Sequence, residues 1–387
     1  MATMNSVSVR TIEPNKYFSA PTFLDQKYIL LSPETPFSQE LKYRLIKWGF
    51  EEIRTAGTLS DTPADAPGGS AAESAPLVAI EESAQETQIL REVQKFYAGV
   101  LSFTEKLFTD FVTKGDLPQR LVSEKIKEVV ETVRAKRKYV LRFSILHNVD
   151  KNYIIEHSVK TTFLSIAMGM SLKMPPHKLI ELGTAALLHE IGMIRLPPQL
   201  YMSDKELTAQ ERKALTAHTL LGFKLLKQFS YPLSVCIAVL ECREHVDGSG
   251  YPRGVTSERL SIYAKIIAVA GSYAALTAAR PFRDAHQPHE SILLLFRDRG
   301  TKYEEAVLRA LLVNLSLYPL GTYVELANGY RGLVVDAVDD NPKAPIVRVM
   351  VSAQGERYAD QPTVRTTDEQ YKVVRALSAT EAKELRA

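Results

Sequence analysis

Between Lys151 and Tyr318 the sequence repeats one pattern, an apolar stretch of helical length closed by proline or glycine, and this constrains the fold more than any other feature. Segments such as IIEHSVKTTFLSI, TAALLHEIGMI and ERKALTAHTLLG are largely apolar, so each must be buried against neighbouring helices. The expectation is a mainly α protein whose core domain, residues 149–318, is a bundle of helices. The most apolar stretch, Leu260 to Ala279, approaches membrane-spanning length. It carries Lys265 and several Ser, Thr and Gly residues, which favours a buried helix over a span.

The flanks read differently. Residues 1–57 predict a small α+β domain, with strand-like SVSVRTI, KYILL and EEIRT around one short helix. That helix is expected to take Thr35 as N-cap and Pro36 as its first residue, to align Leu41, Leu45 and Trp48, and to end at Gly49. Residues 58–87, rich in Ala, Pro, Ser, Gly and acids, hold too few large apolar groups to offset their ordering entropy and are read as a flexible linker. Over 88–148, Ile89, Val93, Phe96, Val100, Phe103 and Leu107 line one helix face. After the turn KGDLP, Val122, Ile126, Val129, Val133, Val140 and Phe143 line a second, predicting a helical hairpin that offers a homodimer surface. Because Leu90, Tyr97 and Gly99 flank the first stripe where a coiled coil would carry charges, packing within the chain is an equal alternative. Residues 319–387 alternate apolar and polar around an Asn-Gly turn, predicting a short antiparallel β unit and tail.

Charge gives no global partner: 48 basic residues nearly balance 45 acidic ones, for a net +3, so no DNA binding is expected and any anion site must be local. The basic run Arg134 to Lys138 is read as a solvated helix face. The start, MATMNSVSVR, has no apolar core after a basic segment, and Cys236 and Cys242 lie nearly two turns apart in one helix, too far for a mutual disulfide. A cytoplasmic protein with reduced thiols is expected.

Chemistry concentrates in the bundle. A single histidine on an apolar helix is ordinarily a hydrogen-bonded core residue. Taken together, His157, His189, the adjacent Glu190 and His218 can supply the nitrogen and oxygen donors of a divalent transition metal. The strongest local signal is REHVDGSGYPRG, Arg243 to Gly254, in which Gly248, Gly250 and Pro252 fix a tight loop after a helix.

Read with the preceding LLHEIGMIRLP and the following VAGSYAALTAARPFR, this pattern resembles the HD-GYP family, bacterial phosphodiesterases that hydrolyse the second messenger cyclic di-GMP. The resemblance covers roughly residues 150–320. It implies an HD-type helical bundle around a two- or three-metal site where metal-bound water attacks phosphorus. By that resemblance His157, His189 and His218 match family histidines and Glu190 stands for the bridging Asp, with a role in activating metal-bound water. Met193 replaces a Lys, Cys242 and Arg243 stand where the family has paired histidines, and Gly271 replaces the Asp of its VAD motif. Arg243 cannot ligate a metal and Gly271 has no side chain, so the ligand set is incomplete; Cys242 and His245 are the substitute ligands available. Arg280 and Arg283 match phosphate-contacting residues, with Arg243 as a third candidate, and Asp247, Gly248, Gly250, Tyr251 and Pro252 form the GYP loop.

The resemblance therefore implies a protein of cyclic di-GMP signalling that hydrolyses weakly or not at all, binding cyclic di-GMP or a related cyclic dinucleotide and acting through a signalling protein partner. One Fe, Mn or Zn ion at most, or partial occupancy, is expected. The alternative is an active metal-dependent phosphodiesterase with a rearranged site. A purely structural protein would bind neither metal nor nucleotide.

Overall fold

The computed structural model describes residues 5–20, 22–23, 29–31, 36–47, 51–61, 84–146, 153–202, 208–278, 285–338, 341–358 and 361–386. The chain divides into two compact units, one comprising residues 1–85, 98–118 and 149–156, the other residues 86–97, 119–148 and 157–387.

In the first unit, β1 (Asn5–Ser8), β2 (Tyr17–Phe18), β3 (Thr22–Phe23), β4 (Ile29–Leu31), α1 (Gln39–Lys47), β5 (Glu52–Thr55) and β6 (Leu59–Ser60) follow one another. An antiparallel sheet of order β1-β5-β3-β4 forms, and β2 pairs separately with β6. Leu41 and Leu45 of α1 pack with Phe18, Phe37 and Ile53 in a fully buried cluster. The helix begins three residues later than the Pro36 start expected. Ser38 caps it, its Oγ accepting from the Leu41 amide at 3.1 Å, because Phe37 is held in an extended bridge to Lys16 and buried in the core. Thr35, Trp48 and Gly49 lie outside the described residues. Of residues 58–87, expected as a linker, Leu59–Ser60 form β6 and the next helix starts at Ala84, while residues 62–83 lie outside the described residues.

Two long helices follow, α2 (Ala84–Lys114) and α3 (Gln119–Leu146). Within the second unit, Lys136 of α3 pairs with Glu92 of α2, so α3 runs back along the first turns of α2 as the hairpin pattern predicts. Lys136 itself has non-helical backbone angles (φ −134°, ψ 32°), and α3 kinks there. The apolar face of α2 is wider than one stripe. Leu90 and Tyr97 are buried, and the Tyr97 ring stacks on Phe163 at 5.2 Å, which uses that face within the chain.

The bundle comprises α4 (Tyr153–Ser171), α5 (Pro176–Leu188), a 3-10 turn (Ile191–Arg195), α6 (Gln199–Met202), α7 (Ala209–Leu215), α8 (Ala217–Gln228), α9 (Leu233–Glu241), α10 (Ile262–Leu276), α11 (Pro288–Arg297) and α12 (Glu305–Leu315). Local chemistry sets the boundaries. Pro176 opens α5, Thr208 and Glu211 form a reciprocal capping box on α7, and Ser261 caps α10 by accepting from the Tyr263 amide. The apolar stretch that approached membrane length is α10, only 15 residues long and buried along most of its length. Among the described residues no helix is long and apolar enough to cross a membrane.

The same unit ends in β7 (Tyr323–Leu326), β8 (Arg331–Val338), β9 (Asn341–Val351), β10 (Thr363–Arg365), β11 (Val373–Ala376) and α13 (Ala379–Arg386). The five strands form an antiparallel sheet of order β10-β9-β8-β7-β11, as the alternation predicts. What was expected only as a tail is the helix α13. Ser378 and Glu381 cap it reciprocally, and Ala382 and Leu385 pack on Tyr323.

Candidate metal centre

His157 lies in α4, and His189 and Glu190 sit where α5 gives way to the 3-10 turn. At that break the backbone leaves helical geometry at Glu190 (φ −99°, ψ 5°), which turns two consecutive side chains into one buried space. Gly192 and Gly222 bring α8 against the turn. A Cβ on Gly192 would lie 1.9 Å from the His218 carbonyl oxygen and 2.7 Å from the Gly222 nitrogen, so only glycine permits this backbone contact. The approach sets His218 opposite Glu190.

His157 Nε2 and His189 Nε2 are 3.2 Å apart. Glu190 Oε1 lies 3.8 Å from the first and 3.5 Å from the second, and Oε2 lies 3.6 Å from His218 Nε2. His189 Nδ1 donates to the Ala186 carbonyl and His218 Nδ1 to that of Leu215, both at 2.7 Å, which leaves each Nε2 as the basic nitrogen facing Glu190. Among the described residues, buried Glu190 Oε2 and His218 Nε2 have no hydrogen-bond partner.

The donor set fits one divalent ion. Two nitrogens 3.2 Å apart match the separation adopted when both bind one ion at about 2.1 Å. The ligand atoms of His157, His189 and Glu190 lie within 4.8 Å of one another. When bound there, a divalent ion supplies Lewis acidity and lowers the pKa of a coordinated water. Of the other candidates, His218 approaches only the second oxygen of Glu190, and the buried Cys242 thiol donates to the Val239 carbonyl at 3.3 Å. His245 is turned to the Ser249 hydroxyl at 2.8 Å. None of these three joins the 4.8 Å group among the described residues.

Arg243 follows the end of α9 and forms an ion pair with Glu190 Oε1. Burial alone would raise the Glu190 pKa, but Arg243 and the three histidines together hold it well below the usual carboxylate range. Burial pushes the Cys242 thiol up to about 12, so it stays protonated, and lowers His218. It also lowers His189 to about 4, partly opposed by Glu190.

His189 gives a pH dependence. Unfolded, it binds a proton near pH 6.5; folded, only near 4, so metal-free protein loses stability as pH falls through that window. The expected loss is about 3 kcal/mol at most, read as the change in urea midpoint between pH 7 and pH 4 in chelator. A His189→Asn variant should show a correspondingly flatter profile. An unaltered slope in that variant would assign the acid sensitivity elsewhere.

The loop after Arg243 is tied to the site. The Tyr251 amide donates to the Arg243 carbonyl at 3.2 Å, and the Tyr251 ring meets His218 edge-on at 6.3 Å. Gly248 takes φ +84°, and a Cβ on Gly250 would lie 2.3 Å from the His245 nitrogen. Asp247 fixes the turn by accepting from the Ser249 amide and hydroxyl. Pro252 completes the loop, which two buried carboxylates hold from beneath. Glu244 accepts from the Arg253 and Gly254 amides, and Glu241 from Arg253 and the Ser261 amide. Sequence reasoning missed this pair, although Glu241 at the end of the apolar helix LSVCIAVLE and Glu244 three residues beyond it were the available signal.

Gly271, on α10, faces the cluster. A Cβ there would sit 3.8 Å from His157 Cε1 and 3.7 Å from Thr161, an ordinary contact distance. Arg280 and Arg283 lie outside the described residues.

A family model for the HD domain matches residues 143–307. Cyclic di-GMP phosphodiesterase PdeB of Borreliella burgdorferi is 29% identical over 211 residues, 54% of this chain and 56% of its own. A cyclic di-GMP phosphodiesterase of Pseudomonas aeruginosa is 28% identical over 278 residues, 72% of this chain and 65% of its own. This chain thus spans under two thirds of either relative's length. Among solved structures, an HDG"Y"P protein from Bdellovibrio bacteriovorus covers 80% of this chain and 98% of its own, at 15% identity and a TM-score of 0.49. The HD-domain match spans His157, His189 and Glu190, and over this segment the chain is similar to cyclic di-GMP phosphodiesterases, with a cluster of three donors that could hold a metal ion.

Proposed function

We propose that this chain binds cyclic di-GMP or a closely related cyclic dinucleotide and hydrolyses it weakly or not at all, serving as a signalling module. The observation that carries the reading is Arg243, a cation that cannot ligate a metal, paired with the carboxylate of the metal cluster. A two-metal site stabilises both the attacking and the leaving oxygen, and three protein donors support one ion. The relatives' names supply the nucleotide class. Arg280 and Arg283 are assigned to its phosphates, for which planar guanidinium forks are suited. Output is assigned to a protein partner engaged through the loop at Asp247 to Pro252 or the first unit, and the free thiols of Cys236 and Cys242 fit a reducing, cytoplasmic setting.

The test is metal content after purification without chelators, paired with calorimetric binding of cyclic di-GMP and its turnover in added manganese or iron. Saturable binding, at most one metal per chain and turnover near background are expected, with binding weakened at least tenfold in an Arg280→Ala/Arg283→Ala variant. The cluster of His157, His189 and Glu190 favours a second reading, a one-metal hydrolase. Stoichiometric metal with sustained turnover establishes that reading instead, and absence of nucleotide binding overturns both.

A further inference from the structure

We propose that Arg243 is an internal counter-cation that holds the metal cluster closed, so that the resting state of this chain is metal-free and a divalent ion binds only by displacing the guanidinium. This deepens the reading above and rests on it for the identity of the site.

Arg243 pairs with Glu190 Oε1, the same oxygen that faces His189 Nε2 at 3.5 Å and His157 Nε2 at 3.8 Å. An ion shared by the two histidines needs that oxygen. A guanidinium and a metal therefore compete for one atom, while Oε2 is turned to His218. Glu190 is 5% exposed and Arg243 28%, so the carboxylate is locked inside while the cation keeps a route outward. A buried carboxylate without a counter-charge is strongly destabilising, and either cation can meet that need. The chain thus folds around this cluster without requiring a metal.

The backbone of Arg243 is held by the loop, through the Tyr251 amide, and the Tyr251 ring lies against His218. The loop thereby anchors the backbone from which the guanidinium reaches Glu190.

The experiment is a calorimetric titration of the full chain with Zn2+ and with Mn2+, without nucleotide, for the wild type, Arg243→Lys and Arg243→Gln, with melting temperatures in chelator and in metal. The wild type should bind at least tenfold more weakly than Arg243→Gln, with Arg243→Lys between them. Chelator should leave the wild-type melting temperature unchanged, whereas Arg243→Gln should be destabilised in chelator and recover in metal. Should Arg243→Gln fail to fold even in metal, the ordering of wild type and Arg243→Lys decides, together with the guanidinium nitrogen resonances of Arg243, which must shift as metal enters the wild type. Equal affinities across the series, a wild type whose melting temperature falls in chelator, or metal entry that leaves those resonances unmoved overturns the proposal. Because no nucleotide is present, failure to bind cyclic di-GMP leaves this result unaffected.

Discussion

A Gly192→Ala variant is expected to lose about 3 kcal/mol of stability or more and most of the cluster's capacity for metal. The added methyl would sit 1.9 Å from the His218 carbonyl oxygen and 2.7 Å from the Gly222 nitrogen. Both are backbone atoms, so no side chain can rotate away, and relief requires α8 to move off the 3-10 turn. Gly222 has little slack, since its own Cβ would meet Val239 at 2.9 Å. That displacement carries His218 away from Glu190 and disturbs the chain just after His189, joining a packing defect to a functional one. Urea unfolding and a zinc titration measure the two losses. Gly99→Ala is the control, because among the described residues nothing lies within 4 Å of a Cβ there and α2 should gain from the better helix former. A Gly192→Ala protein with an unchanged urea midpoint would mean that the glycine contact does not position the site.

The helical bundle was legible because the apolar segments are long and their joints carry Pro or Gly, and the same residues carried the His157, His189 and Glu190 pattern. The C-terminal sheet was legible by its alternation. The start of α1 was misplaced because Pro36 satisfies a local rule, whereas Phe37 answers to a tertiary one, burial beside Leu41. Helix α13 went unread although SATE holds its capping pair, because a short helix with a charged exterior offers little apolar periodicity. The pairing of Arg243 with Glu190 joins residues 53 apart, and no period in the sequence links them. What the pattern supplied there was a mismatch, arginine where the family resemblance implies a ligand, and the fold shows that the arginine pairs with Glu190.

Placing donors at the two positions that the family resemblance assigns to ligands, Gly271→Asp with Arg243→His, is expected to raise metal content from at most one ion per chain to two and turnover of cyclic di-GMP at least a hundredfold, about 2.7 kcal/mol of barrier. Space exists at 271, where the first added atom makes ordinary contacts with Thr161 and with His157 Cε1, so the new carboxylate starts beside an existing donor. At 243 the substitution removes the cation from Glu190 Oε1 and replaces it with a nitrogen donor, releasing that oxygen to a metal. The two changes should be strongly non-additive. Gly271→Asp alone adds an acid to a cluster still occupied by a guanidinium, and Arg243→His alone leaves Glu190 without its counter-charge until metal arrives. Metal uptake by inductively coupled plasma mass spectrometry and product formation by chromatography give separate readouts. Two ions with no turnover would place the remaining defect at Glu190 or Met193, whose side chains differ in length and charge from those the family uses. No gain in metal would show that Gly271 and Arg243 do not occupy the ligand positions assigned to them.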